Sequence, residues 1–427
     1  MRNFIDNIRK YNLFVNLFSI IPFIFLFGVA INNFISVLMA FFGLYVLFYI
    51  KFNKLIFTKY FKFYSLFIFI LITSSLFSEL QIESLKTSVP YSLYFLYFVA
   101  SIFIIIKFDD IHYKILLNSI YLSFLIIITY ASYEFFKLDY GDQLQLYFIR
   151  DNGLKSIFEN RILGIYLIKI IPFFIGLKLY LKNKINKYDI GLISILFFLI
   201  VLSQHRTSII ISILVILMIF ISYKDLRNII FKILTLLALI IVLIYPVAKN
   251  SYQSVFDKTL NQIFKNNSLN AYPDHYVGHY STTINMIKKN YILGIGPNLF
   301  KDLCSNKEYE HIYLTVKKTN GSIENLNSCS THPHNYYLQI FSESGSLSFV
   351  LFLIFFIFLT KEYCFSLVKK NDCYNNPLYI ACLITSICNF FPLSPSSDFF
   401  NTYINTIIYF PISFIIFFKL KNFNFFR

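Results

Sequence analysis

Apolar residues recur along this chain in runs of about 20, the length that carries an α-helix across a hydrocarbon core. The runs fall at roughly 12–31, 34–50, 63–80, 89–106, 115–135, 159–181, 190–205, 207–222, 229–247, 345–360, 377–393 and 403–419. Inside lipid every backbone polar group needs a partner from its own segment, so runs of this length predict helices. The pattern predicts an all-α integral membrane protein with about 12 transmembrane helices. The weakest division separates the seventh and eighth runs, which are nearly continuous around His205 and Arg206. The first run follows Arg2, Arg9 and Lys10 and imitates a signal peptide. No small-residue cleavage site follows it, so it reads as a retained span.

One polar interruption is long. Residues 248–344 are the only stretch large enough for a subdomain outside the bilayer. They divide the chain into a membrane bundle over 1–247 (spans 1–9), this loop, and a second bundle segment over 345–427 (spans 10–12). Within the loop, Val255, Phe256, Leu260, Ile263 and Phe264 recur near helical spacing. That predicts an amphipathic surface helix over 254–266. Residues 282–289 read as a helix capped by Ser281, which Gly294, Gly296 and Pro297 end in a tight turn. A further helix is expected from near Pro333 into the tenth span. The loop is therefore expected to be mostly helical.

Composition agrees with a membrane bundle. Of 427 residues, 57% are hydrophobic and 14% charged, where a soluble domain carries about 25% charged residues. The net charge of +16 sits mostly in short loops, among them Lys51, Lys54, Lys59 and Lys62, and Lys178, Lys182, Lys184 and Lys187. Lys and Arg in short loops mark the cytoplasmic side, and long loops are translocated largely regardless of charge. Both termini are thus expected in the cytoplasm and the loop over 248–344 on the far side. No basic stripe is interleaved with a soluble fold, so nucleic acid is not an expected partner; membrane lipids are.

The densest polar tract is Thr331-His332-Pro333-His334-Asn335-Tyr336-Tyr337-Leu338-Gln339, continuing to Glu343 and Gly345. In a helix, Asn335, Gln339 and Glu343 share one face. At the positive end of the helix dipole a neutral imidazole is favoured, and a neutral His334 can accept a proton from an attacking hydroxyl. The plainer alternative is that His332 and His334 only cap the helix. Arg206, between two apolar spans, needs a partner: a lipid phosphate suits its guanidinium, and snorkelling to the interface is the alternative. Arg161, beside Glu159, is similar. No H-E-x-x-H spacing appears among the histidines, and no metal is expected. Cys304 and Cys329 are the cysteines of the external loop, where an oxidising compartment favours a disulfide between them.

Taken together, His334-Asn335-Tyr336-Tyr337-Leu338-Gln339 with Glu343 and Gly345 resembles the H-N-x-x-L-x-x-x-x-E-x-G signature of the O-antigen ligase/polymerase superfamily. The stretch 287–300, with Gly294, Gly296 and Phe300, looks like its G-x-G-x-x-x-F segment, and Ser203-Gln204-His205-Arg206 is similar to its S-x-S-R span end. The resemblance implies an enzyme of the bacterial inner membrane. It would move a glycan from undecaprenyl diphosphate to an acceptor hydroxyl at the periplasmic face, with no metal or other cofactor. The acceptor would be lipid A–core in a ligase and another carrier-linked glycan in a polymerase. A transporter of lipid-linked sugars is the alternative of another class. Carried over, His334 and Glu343 would be catalytic, Arg206 and Arg161 would bind the donor diphosphate, and Asn335, Gln339, His332 and His279 would support them. His279 stands where the family often has Arg, and 301–330 looks longer than usual.

Overall fold

The computed structural model describes residues 2–136, 156–158, 162–203, 205–243, 274–309, 315–317, 323–325, 328–369, 372–423 and 425. The longer helices are α1 (Arg2–Ser19), α2 (Val29–Phe48), α3 (Lys59–Leu76), α4 (Gln81–Ile106), α5 (Asp110–Phe136), α6 (Leu163–Tyr180), α7 (Lys187–Leu202), α8 (Arg206–Ser222), α9 (Lys224–Leu243), α10 (Asp274–Lys289), α11 (Tyr336–Val368), α12 (Pro377–Asn389) and α13 (Thr402–Asn422). Arg161, with Glu159 and Asn160, lies outside the described residues, as do Gln204 and the surface helix expected over 254–266.

Eight helices among the described residues are long and apolar enough to cross a membrane: α2 to α6, α9, α11 and α13. The other four expected spans fall on α1 with Ile21–Ile24, α1 carrying Arg2, Asp6, Arg9 and Lys10, and on the shorter helices α7, α8 and α12. Helix α12 has 13 residues and is buried from Leu378 to Cys388, so protein rather than lipid surrounds it. The division at His205 is real. His205 Nδ1 accepts the Ser208 amide at 3.2 Å and starts α8 as its N-cap.

Two buried ion pairs fasten the end of the bundle away from Tyr336. Lys178 of α6 meets Asp189 of α7, whose carboxylate also takes the Tyr121 hydroxyl and the Asn186 amide. Lys419 of α13 meets Glu362 of α11 at 2.8 Å, and the Tyr379 hydroxyl donates to the same oxygen at 2.7 Å. A buried charge without its partner costs several kcal/mol, so each pair fixes its helices against sliding.

The loop departs from expectation in three places. Helix α10 begins at Asp274, well before 282, so Ser281 lies inside it rather than at its cap. In the added first turns His279 is buried. Helix α11 begins at Tyr336, not Pro333, because His334 takes φ 58° and the Asn335 carboxamide caps the amides of Tyr337 and Leu338 at 3.0 and 3.1 Å. An antiparallel hairpin, β1 (Thr315–Lys317) and β2 (Ile323–Asn325), lies in the loop that was expected to be mostly helical.

Candidate functional site

Two glycines set the floor of the site. Helix α11 breaks at Gly345 (φ 78°), which frees carbonyls that an unbroken helix would use internally. The turn after α10 receives them. Ile295 N donates to Ser342 O and Gly296 N to Glu343 O, both at 2.9 Å, while Ser346 N returns a bond to Tyr291 O at 3.0 Å. Gly294 (φ 75°) lies so close that a Cβ there would stand 2.5 Å from the Glu343 carbonyl carbon. Any Cβ on Gly345 would likewise strike the Ile292 carbonyl. The G-x-G segment is thus the mate of the helix break.

Glu343 is enclosed by the same turn. Its two carboxylate oxygens accept the amides of Asn298 and Phe300, each at 3.0 Å, and the Gln339 carboxamide at 3.1 Å. The side chain has no exposed surface. Glu343, expected to be catalytic, thus has both oxygens bonded to backbone amides and lies closed off from solvent.

Gln339, one turn earlier, joins a residue the sequence did not single out. Its amide donates to Asp398 Oδ1 at 2.6 Å, and its oxygen accepts Phe399 N at 2.9 Å. Asp398 is the one acidic residue after Asp372, set in the short Pro-Ser segment between α12 and α13. That isolation was the available signal. The segment is anchored again where Asn335 Nδ2 donates to Pro392 O at 2.9 Å.

Above this floor three imidazoles gather. The ring centroids of His332 and His334 are 4.1 Å apart, those of His279 and His334 5.5 Å, and Tyr276 lies 5.0 Å from His334. His334 Nε2 is 3.1 Å from Ser330 Oγ, and the His334 carbonyl accepts Ser396 N at 2.8 Å. His279 Nδ1 donates to Ser328 O at 3.1 Å, and His332 Nε2 donates to Ser396 O at 3.2 Å. Burial holds His332 below the ordinary imidazole value, against the pull of Asp398. Burial lowers His279 too, against its bond to the Ser328 carbonyl. Both are therefore neutral near pH 7, each with one nitrogen donating to a carbonyl. No group of His, Cys, Asp and Glu among the described residues is arranged to hold a metal ion.

Arg206 opens α8 and is partly buried. Gly164, at the start of α6, faces Ser203 and Ser208 beside it. Less than one turn on, Tyr166 stacks on Phe25 with centroids 5.2 Å apart, and Phe25 stacks on Tyr403 at 4.3 Å. Tyr403 lies in the first turn of α13, shortly after Ser396, which bonds His332 and His334. These contacts put Arg206 at the same end of the bundle as the histidines. Gln339 and Glu343 lie on the buried side of α11 and Asn335 is buried at its N-cap; Cys304 and Cys329 form a disulfide with Cα atoms 5.3 Å apart.

Residues 191–353, from α7 into α11, match the family model described as O-antigen ligase. The match includes Arg206, His279, His334 and Glu343, and stops short of Asp398. No curated protein matches the chain.

Proposed function

We propose, from the match of residues 191–353 to the O-antigen ligase model and from helices long and apolar enough to cross a membrane, that the protein transfers a glycan from undecaprenyl diphosphate to an acceptor hydroxyl at the periplasmic face of the inner membrane, with both termini in the cytoplasm. The acceptor hydroxyl attacks the anomeric carbon of the donor. The bond from that carbon to the phosphate oxygen breaks, and the diphosphate leaves on its carrier lipid. His334 accepts the hydroxyl proton, and Arg206, assisted by Arg161, holds the diphosphate and balances its charge as it leaves. His279 and His332, themselves held neutral, add no positive charge beside His334. Glu343 is a positioning residue for the turn and helix beneath. No cofactor enters this chemistry.

The observation that carries the reading is the cluster of His279, His332 and His334 at the bundle end that also carries Arg206. Lipid A–core is the preferred acceptor; a carrier-linked glycan, as in a polymerase, uses the same groups. His334→Ala and Arg206→Ala are each expected to cut glycan transfer on the order of 100-fold or more while the protein still folds. Full transfer by both variants would overturn the assignment. Polymer left on the carrier in a deletion strain identifies a ligase, and single-repeat caps on lipid A identify a polymerase.

A further inference from the structure

The disulfide lies between the floor of the site and its histidines. On one side, Cys304 directly follows the short helix Phe300–Leu303, whose first amide holds Glu343. Cys304 is buried in a small apolar cluster with Met286, Leu299 and Phe300. Met286 belongs to α10 and lies two turns after His279. On the other side, Cys329 stands between two residues that touch imidazoles. Ser328 offers its carbonyl to His279, and the Ser330 hydroxyl meets His334 Nε2. Residues 328–330 belong to no helix or strand, so no regular ladder fixes their position.

We infer that the Cys304–Cys329 disulfide is a positioning device that holds Ser328 and Ser330 as a rail orienting His279 and His334, with Ser330 the positioning residue for the proposed base. The inference rests on the proposed function. Its physical basis is that a base must meet its proton within hydrogen-bond reach, and a misplacement of about 1 Å can cost on the order of 100-fold in rate. The disulfide ties the rail to a buried cluster, so freedom that a coil would give His334 is removed before substrate arrives. Two-electron reduction cleaves the S–S bond to two thiols and releases the rail. Transfer therefore depends on an oxidising compartment.

The test uses the full chain in lipid vesicles, with donor and acceptor supplied. Ser330→Ala is expected to lower kcat by about 10-fold with acceptor KM and melting temperature near those of the wild type, and Ser330→Thr, which keeps the hydroxyl, to recover most of the loss. Cys304→Ser combined with Cys329→Ser is expected to lower kcat by about 10- to 100-fold, and so is brief treatment of the wild type with a phosphine, which takes up the oxygen of water as the disulfide becomes two thiols. Wild-type kcat in the double variant, in the reduced protein or in Ser330→Ala would overturn the inference. Should the double variant fail to fold, Ser330→Ala and reduction decide alone. His334→Ala serves as the control: if it retains transfer, the proposed function falls, whereas loss there with no effect of Ser330→Ala or reduction sinks only the rail.

Discussion

Replacing Glu343 by Ala is the most direct probe of how the site is built. The wild-type carboxylate satisfies the buried amides of Asn298 and Phe300 and engages the carboxamide of Gln339. Alanine leaves both amides without an acceptor in a space closed to solvent. Each buried donor so orphaned costs about 1–3 kcal/mol, so the pair costs about 2–6 kcal/mol. The loss falls on the contact between the turn after α10 and the break in α11, so both ends of the histidine cluster loosen together. Glu343→Gln keeps one acceptor and sets an amide nitrogen against the other donor, a smaller cost of about 1–3 kcal/mol. The assay is thermal unfolding of the detergent-solubilised protein beside glycan transfer in vesicles. Melting temperature and transfer should fall together, with Ala worse than Gln. A Glu343→Ala protein that melts with the wild type would refute the reasoning. Full stability with lost transfer in Glu343→Gln would return Glu343 to the reacting atoms.

Gly345→Ala puts a Cβ against the Ile292 carbonyl at a residue with φ 78°. The left-handed backbone alone costs about 1–2 kcal/mol, and the clash adds to it, so the variant should melt lower than the wild type and lose transfer; unchanged melting in a thermal scan would contradict the interlock. Acidification should weaken the site. His279 and His332 are held below the ordinary value of 6.5, so their contribution is fully present above about pH 6.5. It is lost as the pH falls through their lowered folded values, because the unfolded chain takes up protons that the folded site resists. Thermal scans between pH 7 and pH 5 check this, and a melting temperature that rises on acidification through this range would contradict it.

The sequence alone determined the features that are local. Apolar runs became helices because lipid leaves the backbone no other partner, and the break before α8 came where Ser203, His205 and Arg206 interrupt the pattern. The polar tract around His334 and the pairing of Cys304 with Cys329, the two cysteines of the long polar segment, were equally legible. The start of α11 was misplaced because Pro333 and Asn335 are both good helix starters, and only the left-handed backbone of His334 chooses between them. The tertiary structure decided what each polar group meets. Spacing put Glu343 on one helix face with Asn335 and Gln339, yet its oxygens bond amides 43 and 45 residues away. Asp398 reaches Gln339 across 59 residues, and His279 reaches Ser328 across 49. The contacts of Glu343 arise from the break at Gly345 and the turn that fills it; the others come from coil segments packed against the helices. Periodicity and motif spacing report only on neighbours within a few turns, so they carry no record of which distant amide or carbonyl a side chain will find.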